Sequence, residues 1–366
     1  MLQNDHCQVL VAGNGPAGLA AAIALAERQV DVVVIDPNHN TPALSRCEML
    51  PSSAREILAR LGISTVLDEA VNLQGVVSLW DHAEPIDHGA AMPGLSGFGW
   101  SVDRSILDVA LRNRAQALGV RFQQGRVRQI EGKADDWHVT LACKKIQTAR
   151  YLIDATGRPA VMARRLGAKT TFGPDLIAIT CNIEHPVPAS LLAEARPEGW
   201  WYALPRNHNN GSIGFLTAGK RTNFDAEFIT KASQNLRLVP KLNRVSDIYI
   251  SDSRMSRLFP TISKGWLATG DAAVAFDPIA SQGLFNALSS GFFAGNAAAD
   301  TVAGDQDAVH IYAVLVDRTA LRTHQQSPHQ YAARPFDTAF WNGLSHHNTA
   351  LTQGSQQVSP QPSHNW

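Results

Sequence analysis

The residues able to do chemistry in this chain fall into short glycine- and acid-bearing segments rather than a cluster of metal ligands. The tightest is Gly13-Asn14-Gly15-Pro16-Ala17-Gly18, followed after an alanine-rich stretch by Val32-Val33-Val34-Ile35-Asp36. Glycines so spaced suit the close approach of backbone to a pyrophosphate. Gly13 permits a tight turn, Gly15 removes the side chain that would fend off a phosphate, and Gly18 lets a helix press onto a strand. A helix opening at Pro16 and Ala17 adds free N–H groups and the positive end of its dipole. Asp36 can accept from a ribose hydroxyl, which favours an unphosphorylated ribose, as in FAD or NAD.

The elements that must hold these residues follow from hydrophobic pattern. Gln8 to Ala12 predicts a buried strand, Ile23 and Leu25 lie in a helix, and Val32 to Ile35 predicts a second strand, the context that the glycine turn requires. Two later strands also run into an acid and a glycine, at Tyr151-Leu-Ile-Asp154-Ala-Thr-Gly157 and at Trp266-Leu-Ala-Thr-Gly270-Asp271. After the second, Phe276-Asp277-Pro278 leads through a loop to Gly283-Leu284 and a small-residue helix reaching about Ala303, with Gly304 as its stop. The amides of Gly283 and Leu284 are the natural donors to an electron-rich ring edge.

Between these motifs, Ser52 to Gly62 predicts a serine-capped helix. Trp100 to Leu111 predicts another, with Asp103 or Ser101 as cap and Arg104 in the segment. Strands are expected at Val120 to Phe122, at Trp137 to Leu141 paired antiparallel with Lys145 to Leu152, and within Tyr202 to Thr217 and Val245 to Ser251. A helix near Phe224 to Leu238 and a last helical region from Val309 to about Trp341 complete the reading. Val76 to Gly99, with Trp80, His82 and His88, is irregular; it either lines a ligand site or forms a plain surface loop.

The chain has 366 residues, 45% hydrophobic and 17% charged, enough to bury a large core. Lys+Arg and Asp+Glu both number 32, so no basic surplus suggests nucleic acid or an anionic membrane as partner. Cys7, Cys47, Cys143 and Cys181 are scattered, which argues against a metal site or disulfide framework. No apolar run is long enough to span a membrane, and the expectation is a soluble, cytoplasmic protein. The expected fold class is α/β, a Rossmann-like nucleotide domain with an inserted antiparallel β-sheet substrate domain and C-terminal helices. Its divisions are 1–160 and 261–304 for the two parts of the nucleotide domain, 161–260 mainly for the sheet, 305–344 for the helices, and a disordered tail from 345 to 366.

Taken in order, Gly13 to Gly18, Asp154 to Gly157 and Gly270-Asp271 resemble the flavoprotein hydroxylases, single-component monooxygenases of the p-hydroxybenzoate hydroxylase fold. The likeness covers roughly residues 8 to 340. It implies a glutathione-reductase-type FAD domain in which Gly13, Gly15 and Gly18 hold the pyrophosphate, Asp36 the adenosine ribose and Asp271 the ribityl chain. Arg104 would approach the phosphates, unless it is a solvated first-turn arginine. Arg46, Pro16, Ala17, Asp154, Gly157, Gly270, Pro278, Gly283 and Leu284 complete the implied cofactor-binding set.

The segments Arg46-Cys-Glu48-Met-Leu-Pro51, Gly199-Trp200-Trp201-Tyr202-Ala-Leu-Pro205 and Phe276 to Gly283 look like a branch shared by flavin-dependent halogenases and the modifying flavoproteins of tryptophylquinone-dependent oxidases, such as lysine ε-oxidase and glycine oxidase. Halogenases of this kind carry an early-chain lysine that captures hypohalous acid, whereas the first lysine here is Lys133. The second group is therefore favoured. It implies a monooxygenase that hydroxylates a tryptophan in the precursor of a partner amine or amino-acid oxidase, using FAD, O₂ and a reductant that the sequence does not name.

In that reading Trp200 and Tyr202 shield the flavin or position the indole; equally, Trp200 to Tyr202 are alternating faces of a half-buried strand. Asp277, Asp81, His82 and His88 are candidate bases or ordinary loop hydrogen-bonders. Cys47 is either a buried thiol or a site of covalent flavin attachment. Two other readings stay open: an oxidoreductase on a free small molecule (aromatic hydroxylase, halogenase or prenyl reductase), and a non-catalytic binding protein.

Overall fold

The computed structural model describes residues 5–37, 46–80, 83–89, 98–219, 224–242, 248–331 and 336–346. Asp5–Ala12 is the middle of a parallel sheet because Val9 to Ala12 are buried on both faces. Val11 lies between Val34 of Val32–Asp36 and Ile153 of Ile146–Asp154. Arg121–Gln124 extends the sheet on one side and Trp266–Ala268 on the other, both in parallel register. The antiparallel strands Asp136–Leu141 and Val127–Lys133 continue from Ile146–Asp154, with Val139 opposite Gln147.

All three acid-bearing motifs therefore sit at the carboxyl ends of neighbouring parallel strands, where open α/β sheets bind ligands. Helix Pro16–Glu27 covers this sheet and is itself covered by helix Gly283–Ala303. A Cβ on Gly291 would collide with the Ala17 carbonyl, and one on Gly295 with that of Ala21, so small residues set the closeness of the two helices.

The second sheet runs Tyr249–Asp252, Ile177–Ile183, Gly211–Thr217, Gly199–Pro205, Leu191–Arg196, Val76–Leu79 and Ile86–Asp87. It is antiparallel except where Val76–Leu79 joins Leu191–Arg196 in parallel. The stretch read as irregular thus supplies two edge strands to this sheet. Alternation along Gly199–Pro205 splits its aromatics. Trp201 stacks on Phe215 at 4.5 Å in a core shared with Ile229 of helix Ala226–Ser233, while Trp200 and Tyr202 face the other way, toward Tyr331 and Trp341. The result is the expected α/β fold, a Rossmann-like nucleotide domain joined to an antiparallel sheet and closed by C-terminal helices.

Several local expectations change. Trp100 to Val102 belong to strand Gly99–Asp103, which pairs with Cys47–Pro51, and the helix begins only at Arg104. Asp103 is its cap, accepting from the Ser105 amide at 2.9 Å. The helix after Ser52 is Ala54–Arg60, with no side-chain cap. The terminal helical region is two helices, Ala308–Tyr331 and Ala339–His346, the second entering the segment read as a tail. Residues 347–366 lie outside the described residues.

Candidate active site

At the amino end of helix Pro16–Glu27 the cap residue Gly15 offers no side-chain hydrogen bond. Pro16 has no N–H, so the uncapped amides of Ala17 and Gly18 are the donors this terminus presents. A Cβ on Gly13 would strike the Ala155 carbonyl and one on Gly18 the Gly13 carbonyl, whereas nothing lies within 4 Å of a Cβ on Gly15. Gly13 and Gly18 are needed by the protein itself, and Gly15 leaves room for something outside it. A pyrophosphate fits this cradle.

Asp36 is fully enclosed and its Oδ2 takes a 2.7 Å bond from Arg112, a residue that the sequence reading missed. Asp154 is turned inward. It accepts from the Thr156 amide at 2.9 Å, the Thr156 hydroxyl at 2.6 Å and the Ala163 amide at 2.8 Å, which fixes the turn carrying Gly157. Burial nevertheless raises its pKa, the three donors opposing the shift. Gly270 has φ +59°, and the Gly270 amide donates to Ser290 Oγ at 3.1 Å, bringing Asp271 to the sheet's carboxyl edge. Arg158 Nε lies 3.5 Å from Asp271 Oδ2, a second missed partner. Burial raises the Asp271 pKa and Arg158 opposes it.

Arg46 and Arg104, from different elements, converge on Glu48. Arg46 Nη2 is 2.8 Å and Arg104 Nη1 2.7 Å from Glu48 Oε1, and Arg104 Nη2 also reaches Asp108 at 3.2 Å. Burial alone would raise the Glu48 pKa, yet the two guanidinium groups outweigh it and hold the carboxyl down at about 2. The resulting rigid, charged floor borders a cavity of about 710 Å³.

The cavity is also walled by the loop from Phe276 to Leu284 and by one face of the second sheet. Asp277 Oδ1 accepts from the Ile279 amide at 3.0 Å and from the Tyr331 hydroxyl at 2.8 Å. Helix Gly283–Ala303 has no side-chain cap, so the Gly283 and Leu284 amides are available at the cavity edge. Pro278 opens the short turn before them. Uncapped amides beside a roomy, partly apolar space match the polar edge of a flavin ring, and the residues present fit FAD.

The sheet face supplies Trp80, Trp200 and Tyr202, with ring centroids 6.0 Å apart for the first pair and 6.1 Å for the second. His88 also lines the cavity, its Nε2 2.8 Å from Ser78 Oγ. Asp81 and His82 lie outside the described residues. Cys47 lines the cavity but is buried, and desolvation raises its thiol pKa, which suppresses the thiolate that covalent attachment would need. Among the described residues no His, Cys, Asp and Glu group is arranged for a metal, and no helix is long and apolar enough to cross a membrane.

The sequence model of the family described as FAD binding domain matches residues 6–308. The chain is 25% identical over 341 residues to the 1H-pyrrole-2-carbonyl-(peptidyl-carrier protein) brominase of Pseudoalteromonas luteoviolacea, covering 83% of this chain and 80% of that protein. It is 23% identical over 329 residues to digeranylgeranylglycerophospholipid reductase 2 of Methanococcoides burtonii, covering 81% and 76%. Its fold superposes with a TM-score of 0.73 on the peptidyl tryptophan dihydroxylase QhpG, essential for tryptophylquinone cofactor biogenesis, at 19% identity over 93% of this chain and 78% of that one.

Proposed function

The chain belongs to the FAD binding domain family and is an FAD-dependent oxidoreductase, and from that premise we propose that it hydroxylates a tryptophan in the precursor of a tryptophylquinone-dependent oxidase. The observation that carries this reading is the aromatic corner of Trp80, Trp200 and Tyr202, which lines one cavity together with the Phe276-to-Leu284 loop. Tilted rings about 6 Å apart offer faces and edges to a flat, electron-rich guest such as an indole. The likeness to a peptidyl tryptophan dihydroxylase supports the reading at the level of fold. So does the cavity's described lining, which contains no lysine to carry a halogenating reagent.

In this reading Gly13, Gly15, Ala17 and Gly18 would seat the pyrophosphate, Arg112, held by the enclosed Asp36, would border the adenosine ribose, and Asp271 with Arg158 would hold the ribityl chain. When bound and reduced, FAD would supply the two electrons that let O₂ deliver one electrophilic oxygen atom, the other leaving as water. The uncapped Gly283 and Leu284 amides would stabilise negative charge developing on the bound flavin. Trp80, Trp200 and Tyr202 position the indole and displace water. Asp277, with Oδ1 fixed by Ile279 and Tyr331, takes the proton that leaves the ring carbon as aromaticity returns.

The test is to incubate FAD-loaded protein, a reductant and O₂ with an unmodified oxidase precursor, and separately with free tryptophan. Oxygen added to one tryptophan of the precursor, with the free amino acid untouched, is the expected result. Oxidation of free tryptophan alone would instead assign the enzyme to a small-molecule substrate.

A further inference from the structure

A second cavity, of about 650 Å³, lies beside the same long helix but on another face. Gly291 and Gly295 turn one side of Gly283–Ala303 onto helix Pro16–Glu27. Gln282, Asn286 and Phe293 project from the opposite side and line this cavity together with Arg318 and Arg322 of Ala308–Tyr331. Its lining leaves out the Gly13-to-Gly18 turn, although Gly270 borders it and Asp271 and Phe276 border both cavities.

Arg318 and Arg322 are four residues apart on one helix, so their side chains share a face and repel one another. Among the described residues neither guanidinium makes a hydrogen bond or ion pair. The carboxylate adjacent in sequence, Asp317, is turned to Arg257 at 2.7 Å and does not neutralise them. Beside them Phe293 is left 45% exposed, an apolar ring at the rim of a cationic concavity. The volume falls in the ordinary range for small-molecule sites.

We propose that this cavity binds an aromatic phosphate monoester, its phosphate bridging Arg318 and Arg322 and its ring lying against Phe293. Guanidinium forks match the oxygens of a phosphate in geometry as well as charge, and the phenyl face adds contact area that a bare anion cannot use. This site is independent of the reaction proposed above and stands or falls separately.

Calorimetric titration of the FAD-loaded full chain with phenyl phosphate tests it. The expected result is saturable binding that weakens at least about tenfold in Arg318→Gln/Arg322→Gln at unchanged flavin content. Phe293→Ala should weaken phenyl phosphate while leaving inorganic phosphate as in the unmodified protein. No saturable binding, or an affinity indifferent to the arginine pair, overturns the proposal. Equal effects of Phe293→Ala on both ligands would overturn the ring's assigned seat.

Discussion

The Tyr331 hydroxyl donates a 2.8 Å hydrogen bond to Asp277 Oδ1 across 54 residues of sequence, tying the end of helix Ala308–Tyr331 to the loop that borders the main cavity. Trp341 packs against Tyr331 with centroids 6.2 Å apart, and its indole N–H donates to the Arg196 carbonyl at 2.9 Å. The C-terminal helices thereby connect the loop to the second sheet. They belong to the site's architecture as much as the glycine turn does.

Changing Tyr331→Phe should move the pH dependence of turnover. Burial pushes the Asp277 pKa up to about 6, while the Ile279 amide and the Tyr331 hydroxyl oppose the rise. Because the folded value lies above the ordinary one, the associated stability is full at low pH and is lost as pH rises through about 6. Without the phenol the carboxylate loses a donor, so the rising limb of the pH–rate profile shifts to higher pH, and stability above that limb falls by about 1–2 kcal/mol. Asp277→Asn should remove the limb. A profile unmoved in Tyr331→Phe would show that Asp277 is not the titrating base.

Gly15→Ala and Gly18→Ala should separate cofactor binding from folding. Gly15 has φ −78° and open space where a Cβ would go, so its alanine variant should keep thermal stability within about 0.5 kcal/mol. Its FAD dissociation constant should nevertheless rise about tenfold or more, ~1.4 kcal/mol. Gly18→Ala must push against the Gly13 carbonyl and should lose about 1–3 kcal/mol of stability before any ligand is added. Paired flavin-fluorescence titrations and thermal unfolding distinguish the two. Equal destabilisation of both variants would contradict the assignment.

Local sequence marks only the short-range part of this site. The strand–turn–helix around Gly13, the Gly270-Asp271 corner and the uncapped Gly283 terminus are written in consecutive residues, where spacing and period are informative. Asp36 with Arg112, Asp271 with Arg158 and Asp277 with Tyr331 join distant positions, and no local pattern marks them. Trp100 to Val102 look like the start of the helix that follows, yet pairing with Cys47–Pro51 holds them extended, tertiary contacts overriding local preference. Val76–Leu79 and Ile86–Asp87 are too short to show a period and become strands only by docking on the sheet edge.

Glu48→Gln probes the charged floor. The Arg46 and Arg104 guanidinium groups hold the Glu48 pKa at about 2, below its ordinary 4.5. A depressed carboxyl contributes stability above its unfolded value and loses it as pH falls toward the folded one. The variant should therefore be less stable by about 2 kcal/mol at neutral pH, with the deficit shrinking as pH falls from 4.5 toward about 2. Denaturant unfolding at neutral and acidic pH measures this. A deficit independent of pH would mean that Glu48 acts by packing rather than charge.

Tryptophan hydroxylation is read out by supplying heavy-isotope oxygen gas to the reduced, FAD-loaded protein with an unmodified oxidase precursor and mapping the precursor's peptides by mass spectrometry. Heavy oxygen should appear on one tryptophan of the precursor, be lost when FAD is omitted and fall strongly when Trp200 is changed to alanine. A precursor that remains unlabelled while a free aromatic compound takes up the label would contradict it.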